Sequence, residues 1–230
     1  LSLRRQRQMC KETGTQLVFL YLYYAENTGS VNLTQIAKAL SLSKATCTRA
    51  INDLSASGLI SQTAEGTNKW ITTAYTKSEL LEKAYGRLKT PVDRILYVKG
   101  TAQIEIQLQV EYGAGTAIHD WGKRSGGAIA ISKKEAAKIP AEDICTKQYF
   151  EDFGGAVIEV WSYDPIILER DGCVDDISLL LSMDNDPNEE FRRAWMKFGK
   201  STDYQSKRKN KGERNGKWHR YIPRAVSYTH

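Results

Sequence analysis

Polar side chains that form hydrogen bonds cluster between residues 43 and 52 of this 230-residue chain. Lys and Arg suit phosphate oxygens or the acceptor edge of guanine. Asn can bind adenine through two hydrogen bonds, and Thr suits a phosphate or a thymine methyl group. The candidate contact residues of this segment are Ser43, Lys44, Thr46, Thr48, Arg49 and Asn52. The pattern predicts a helix face that contacts DNA, and an ordinary solvated face is the alternative interpretation.

The apolar residues of the same segment predict the helix that positions these side chains. Cys47, Ile51 and Leu54 recur at spacings of four and three residues, which places them on one buried face. Burying that face turns the polar residues outward. The residues expected on the outer face are Lys44, Thr46, Arg49 and either Asn52 or Asp53.

A shorter helix is predicted directly before this one. Asn32 is a good N-cap, and Gln35 three residues later can complete a capping box. The apolar positions of this helix are Leu33, Ile36, Ala37 and Leu40. Ser43 can cap the second helix, so two helices joined by a short turn form a helix-turn-helix. Residues 14–28 predict a further buried helix, which Gly29 ends.

A β-hairpin is predicted after the second helix. Gly58 ends that helix, and two short strands around a polar, glycine-containing turn are expected within residues 59–73. A hairpin in this place is a wing, and Lys69 beside its tip could contact the DNA backbone or the minor groove. Residues 77–88 predict another helix, which Ser78 can cap.

This order of elements resembles the multiple-antibiotic-resistance regulator (MarR) family. The residues that carry the resemblance are LTQIAKALSLSKATCTRAINDLSASGLI, then the hairpin, then TKSELLEKA. The resemblance implies a winged helix-turn-helix that binds double-stranded DNA. Wings of that family often hold several Arg or Lys, whereas the tip AEGTNK of this chain has one Lys and one Glu.

Charge divides the chain into three segments. Residues 1–90 hold 12 basic and 6 acidic side chains, a net charge of +6. Residues 91–198 hold 12 and 19, which gives −7, and residues 199–230 hold 9 and 2, which gives +7. DNA attracts the first and last segments and repels the middle one. We therefore expect a DNA-binding domain, an acidic domain and a basic tail.

The middle segment is predicted to be an α+β domain. Strict alternation of apolar and polar residues over 104–112 predicts a half-buried strand. Further strands are expected within 93–100, 126–132 and 156–165, and helices within 133–139, 174–183 and 188–198. Asp175 and Asp176 are expected at a helix N-terminus, where the helix dipole favours acidic side chains.

Residues 156–194 resemble the C-terminal region of antitoxin-like regulators of abortive-infection toxin–antitoxin loci. The residues that carry this resemblance are WSYDP, then VDDISLLLS, then an acidic turn and a helix. The resemblance implies a regulator that binds a protein partner through its acidic domain or autoregulates an operon. It implies no catalysis.

The basic tail has few apolar residues that could anchor it. One interpretation is a loosely packed segment, a second is an arm on DNA, and a third is a segment that folds over a neighbouring subunit. In the second interpretation the phosphate contacts are Lys207, Arg208, Lys209 and Lys211.

Other chemistry finds little support. The cysteines Cys10, Cys47, Cys145 and Cys173 lack the spacing of a zinc site, and no phosphate-binding loop or dinucleotide motif occurs. His119 and Asp120 lack an accompanying nucleophile motif. No apolar run is long enough for a membrane span. We therefore expect no enzyme, cofactor, metal or membrane contact, and a cytoplasmic protein.

The leading expectation is a sequence-specific regulator of transcription, a repressor that acts as a homodimer on a pseudo-palindromic site. The first alternative is a plasmid or phage replication initiator, whose middle domain would be a second winged helix. The second is a protein-interaction module, in which the winged helix binds protein instead of DNA.

Overall fold

The computed structural model describes residues 13–25, 31–65, 68–100, 128–169 and 174–182. The chain divides into two compact units, with the boundary between Leu88 and Lys89. The predicted strand over 104–112, the helix over 188–198 and the tail lie outside the described residues. The three-part division into 1–90, 91–198 and 199–230 therefore stays a prediction.

The first unit contains four helices within its described residues. They are α1 (Thr13–Tyr24), α2 (Leu33–Ala39), α3 (Lys44–Ala56) and α4 (Lys77–Ala84). From Leu17 onward α1 is apolar on almost every side, and its residues from Thr15 to Leu20 are buried. Helix α1 packs against α3, and α2 also packs against α3. The helix predicted over 14–28 is thus present as far as Tyr24, and residues 26–30 are not described.

The two predicted helix starts of the helix-turn-helix are confirmed. The backbone N–H of Thr34 donates to Asn32 Oδ1 at 2.8 Å, and the N–H of Asn32 donates to Gln35 Oε1 at 3.2 Å. Ser43 caps α3, because its Oγ accepts from the N–H of Thr46 at 3.1 Å. Each cap satisfies a backbone donor that the first turn of a helix leaves unpaired.

The hairpin predicted after α3 is present and belongs to a three-stranded antiparallel sheet. Its strands are β2 (Ser61–Glu65) and β3 (Asn68–Thr72), and β1 (Val31–Asn32) pairs with the other edge of β3. Strand β1 was not predicted, because two residues are too short to show an alternating pattern. It sits directly before α2, so the sheet and the helix-turn-helix share one chain segment.

The N-cap of α4 differs from the prediction. Thr76 caps this helix instead of Ser78: its Oγ1 accepts from the N–H of Glu79 at 3.2 Å. The N–H of Thr76 in turn donates to Glu79 Oε2 at 2.8 Å. Because this pair forms a complete capping box, the helix starts at Lys77, two residues earlier than a cap at Ser78 would allow.

The second unit is built on a four-stranded sheet in the order β5-β7-β4-β6. The strands are β4 (Val92–Lys99), β5 (Ile129–Ser132), β6 (Ile144–Cys145) and β7 (Gly155–Trp161). Strand β5 runs parallel to β7, and the other neighbours are antiparallel. The described residues thus combine helices with two sheets, which agrees with the α+β class.

The core of the second unit lies on and beside this sheet. Val98, Ile158, Val160 and Trp161 are at most 1% exposed. The predicted strands within 93–100, 126–132 and 156–165 are confirmed as β4, β5 and β7. Two short helices, α5 (Lys133–Ala136) and α6 (Lys147–Phe153), connect the strands, and α6 had not been predicted.

The predicted acidic start of a helix near residue 175 is confirmed at α7 (Asp176–Ser182). Asp175 is buried, and its Oδ1 accepts from the backbone N–H of Ser178 at 3.0 Å. The hydroxyl of Ser178 shares a hydrogen bond of 2.7 Å with that of Tyr163. No helix in the described part of the chain is long and apolar enough to cross a membrane.

Candidate nucleic-acid interface

Helix α3 has one buried face and one exposed face, as its pattern predicts. Cys47, Ile51 and Leu54 are 0%, 3% and 0% exposed, and Ala50 is buried beside them. Burial raises the pKa of the Cys47 thiol, which is consistent with a core side chain instead of a reactive one. The exposed residues of the helix are Lys44, Ala45, Arg49, Asn52 and Ala56.

Three of the predicted contact residues are exposed on α3. Arg49 and Asn52 project from the middle of the exposed face, and Lys44 lies at the start of the helix. Asp53 is only partly exposed, so Asn52 is the member of that pair that faces outward. Ala45 lies one helical turn before Arg49 and is also exposed. It had not been predicted as a contact residue, although its spacing of four residues from Arg49 places both on one helix face. Its methyl group suits a thymine methyl.

The three hydroxyl residues of the predicted set are engaged within the protein. Ser43 Oγ caps the helix and shares a hydrogen bond of 2.9 Å with Thr46 Oγ1. Thr48 Oγ1 donates to the carbonyl oxygen of Lys44 at 2.8 Å. Thr46 and Thr48 are half-buried, whereas Thr46 was expected on the outer face. Thr46 lies to one side of the helix, where it meets α1, and this makes it a weaker candidate for a DNA contact.

The turn between α2 and α3 has a well-defined geometry. The N–H of Leu42 donates to the carbonyl oxygen of Ala37 at 3.0 Å, and that of Ser41 to Lys38 at 3.3 Å. This pair of bonds is a Schellman motif, which needs a left-handed residue after the helix. Ser41 supplies it with a φ of 52°. The motif sets the direction in which the chain enters α3, and therefore sets where the exposed face points.

Strand β2 contacts α3 through a side chain that had not been predicted. Gln62 Nε2 donates to Asn52 Oδ1 at 3.3 Å and approaches the carbonyl oxygen of Ile51 at 3.5 Å. Gln62 is half-buried between exposed neighbours on β2. The alternation along the strand could therefore have indicated, weakly, that this side chain faces the protein. The sheet thereby holds a residue of the candidate DNA-contacting face.

The wing has the expected backbone. Strands β2 and β3 pair from Ser61 opposite Thr72 to Glu65 opposite Asn68. Lys69 lies on β3 opposite Ala64, but its side chain is outside the described part of the structure. Its contact with DNA stays a prediction, as do those of Lys207, Arg208, Lys209 and Lys211, which lie outside the described residues.

Among the described residues, no group of three or more His, Cys, Asp or Glu side chains is arranged to hold a metal ion. The described part of the candidate interface consists of a helix face with two cations and an amide, a hydrogen-bonded turn and a two-stranded wing. These are parts that duplex DNA accommodates, because the major groove admits a helix and the adjoining backbone accepts a hairpin.

A family model matches the N-terminal part of the chain. No curated protein and no solved structure matches the chain. Residues 15–69 match the sequence model of the MarR family, a stretch that begins in α1 and runs through α3 into the hairpin. This match lies in the N-terminal part of the chain, and it supports a MarR-like winged-helix regulator that binds DNA.

Proposed function

We propose that the protein is a sequence-specific regulator of transcription that inserts α3 into the major groove of double-stranded DNA. The observation that carries the proposal is the exposed face of α3, where Arg49 and Asn52 project beside Lys44. Arg suits the guanine edge and Lys suits phosphate, so the face combines a base-reading group with backbone contacts. The wing then lies beside the groove that α3 occupies.

We further propose that the protein acts as a cytoplasmic homodimer and a repressor. A helix-turn-helix reads only a few base pairs, and a dimer doubles the site by placing two half-sites one helical turn apart, about 10–10.5 base pairs. A repressor needs only to occupy an operator, which a winged helix and a dimer contact are sufficient to do. The basic tail supplies additional phosphate contacts in this proposal.

The acidic middle domain is proposed to bind a protein partner, as in a toxin–antitoxin-like operon. Its net charge of −7 over residues 91–198 opposes DNA and suits a basic protein surface. The described sheet of the second unit has a parallel pair, β5 and β7, and differs from the antiparallel sheet of the first unit. We therefore do not include a second winged helix, as a replication initiator would require, in the proposal.

Selection from a random duplex library tests the proposal with the full chain. We expect an enriched motif with two inverted half-sites, and we expect the double variant Arg49→Ala/Asn52→Ala to lose that motif while keeping its melting temperature. A library that is not enriched, or a motif that the double variant enriches equally well, would overturn the proposal. A reporter gene with the selected site across its promoter then tests repression, with the same variant as control.

A further inference from the structure

The amide group of Asn52 is oriented by a neighbour on the wing. Gln62 Nε2 approaches two oxygens, the Ile51 carbonyl at 3.5 Å and Asn52 Oδ1 at 3.3 Å. A backbone carbonyl accepts hydrogen bonds and cannot donate them, so the Gln62 atom that faces it must be the NH₂ group. The same NH₂ group faces Asn52, and the Asn52 atom opposite it must then be the oxygen.

This orientation matters because the two ends of an asparagine amide read different bases. Adenine offers an N7 acceptor and an N6 donor, so a two-point contact uses Nδ2 and Oδ1 together. Guanine offers two acceptors, N7 and O6, and is matched by donors alone. Because Gln62 draws Oδ1 toward β2, the NH₂ group of Asn52 is the part left for the groove, and Asn52 lies on the exposed face of α3.

We propose that Gln62 is a specificity-determining residue: it holds the Asn52 amide with its donors outward, so that Asn52 selects guanine over adenine. Gln62 itself need not touch DNA, and its role is to position Asn52. The inference rests on the proposed function, because it assumes that α3 enters the major groove. It differs from the expectation that Asn52 grips adenine at two points.

The test measures base preference at the position that Asn52 reads, with the full chain. That position is the one whose preference disappears in Asn52→Ala. Four duplexes that differ only there are compared for wild type and for Gln62→Met, which keeps the side-chain length and removes the amide. Gln62→Glu is a second variant, since its carboxylate accepts from Nδ2 and turns the Asn52 amide over. Thr63→Ala is the matched control, because Thr63 is exposed on the same strand.

We expect wild type and Thr63→Ala to prefer guanine over adenine by about 5- to 150-fold, the range that one good base contact supplies. In Gln62→Met and Gln62→Glu we expect that preference to fall at least fivefold and to move toward adenine. Thermal unfolding of each variant reports whether it is folded, and either folded variant alone is sufficient for the test.

Three results would overturn the inference. Adenine preference in wild type would show that Oδ1 remains available to the base. An unchanged guanine preference in the Gln62 variants that fold would show that Asn52 is positioned without Gln62. The absence of sequence preference at every position for wild type, so that no position can be assigned to Asn52, would overturn the proposed function and this inference with it. The first two results leave the proposed function standing, so the two failures are distinguishable.

Discussion

Gly14 and Thr46 approach so closely that a Cβ on residue 14 would lie 2.8 Å from Thr46 Cγ2. Gly14 is near the start of α1, and Thr46 is in the first turn of α3. The missing side chain lets the start of α1 pass over the start of α3. Thr46 thus uses its methyl group against α1 and its hydroxyl against Ser43, and both contacts locate the first turn of α3.

Gly14→Ala is expected to destabilise the protein by about 1 kcal/mol. The new methyl group overpacks a tight contact, at a cost of about 1–3 kcal/mol, and the better helix propensity of Ala offsets up to about 1 kcal/mol of that. Urea unfolding measures the change. In a Thr46→Ser background, which removes Cγ2 and keeps the hydroxyl, the same substitution should be neutral or stabilising. Equal costs in both backgrounds would show that the contact does not limit residue 14.

Ser41→Gly is expected to stabilise the protein by about 0.5–1 kcal/mol. Ser41 has a φ of 52°, and a left-handed conformation is unfavourable for a residue with a side chain. The matched control is Ser57→Gly at the end of α3, where φ is −83° and glycine should destabilise. Thermal unfolding of the two variants would contradict this account if both shifted in the same direction.

Arg49→Ala is expected to weaken binding to the selected duplex by about 1–3 kcal/mol, since Arg49 lies on the exposed face and suits a base edge. Fluorescence anisotropy measures the affinity, and the melting temperature should not change. Arg94→Ala, at an exposed position of β4 in the second unit, is the matched control and should bind as wild type does. Unchanged affinity for Arg49→Ala would remove this residue from the interface.

The capping box of α4 is expected to make stability depend on pH. The N–H and the hydroxyl of Thr76 both donate to Glu79 Oε2, and these hydrogen bonds, with a smaller effect of Lys83, lower the pKa of Glu79. Because the folded-state pKa lies below the unfolded one, the contribution is complete above the ordinary value of 4.5 and is lost as the pH falls through the folded-state value.

The measurement for this prediction is the difference in urea midpoint between wild type and Glu79→Gln, followed from pH 7 to acid. Gln keeps a capping oxygen and lacks the charge, so the advantage of wild type should narrow below about pH 4.5. Glu82→Gln on the same helix controls for the loss of one negative charge outside the box. A difference for Glu79→Gln that stays constant with pH would be inconsistent with a carboxylate that prefers its charged form.

Deletion of residues 199–230 is expected to reduce affinity without changing sequence preference. The segment holds 9 basic and 2 acidic residues, and each phosphate contact contributes about 0.9 to the slope of log affinity against log salt concentration. Engagement of two to four cations therefore predicts a slope that is flatter by roughly two to four units. Cognate and scrambled duplexes should lose affinity by a similar factor, and a loss confined to the cognate duplex would argue for base reading or a dimer contact.

The elements that depend on neighbouring residues were predictable from the sequence. The caps at Asn32 and Ser43 need a side-chain oxygen and a backbone N–H only two or three residues away. The buried stripe of Cys47, Ile51 and Leu54 follows from the helical period. Caps and helical stripes depend on residues that are close together in the sequence, so they can be predicted without knowledge of the fold. The N-cap of α4 was predicted wrongly, because Thr76 and Ser78 are both good caps and only the fold distinguishes them.

The orientation of the candidate contact residues was settled by tertiary structure. Helical spacing predicted an outward Thr46, yet the passage of α1 at Gly14 covers its side. Asn52 was expected to offer both ends of its amide to a base. Strand β2 lies beside α3, however, and Gln62 on that strand donates to Asn52 Oδ1. Periodicity assigns a side chain to a face of its own helix, whereas the group it meets depends on how separate elements pack. The sequence by itself therefore determined the helix and its buried face, and the tertiary structure decided how the residues of the candidate DNA-contacting face are presented.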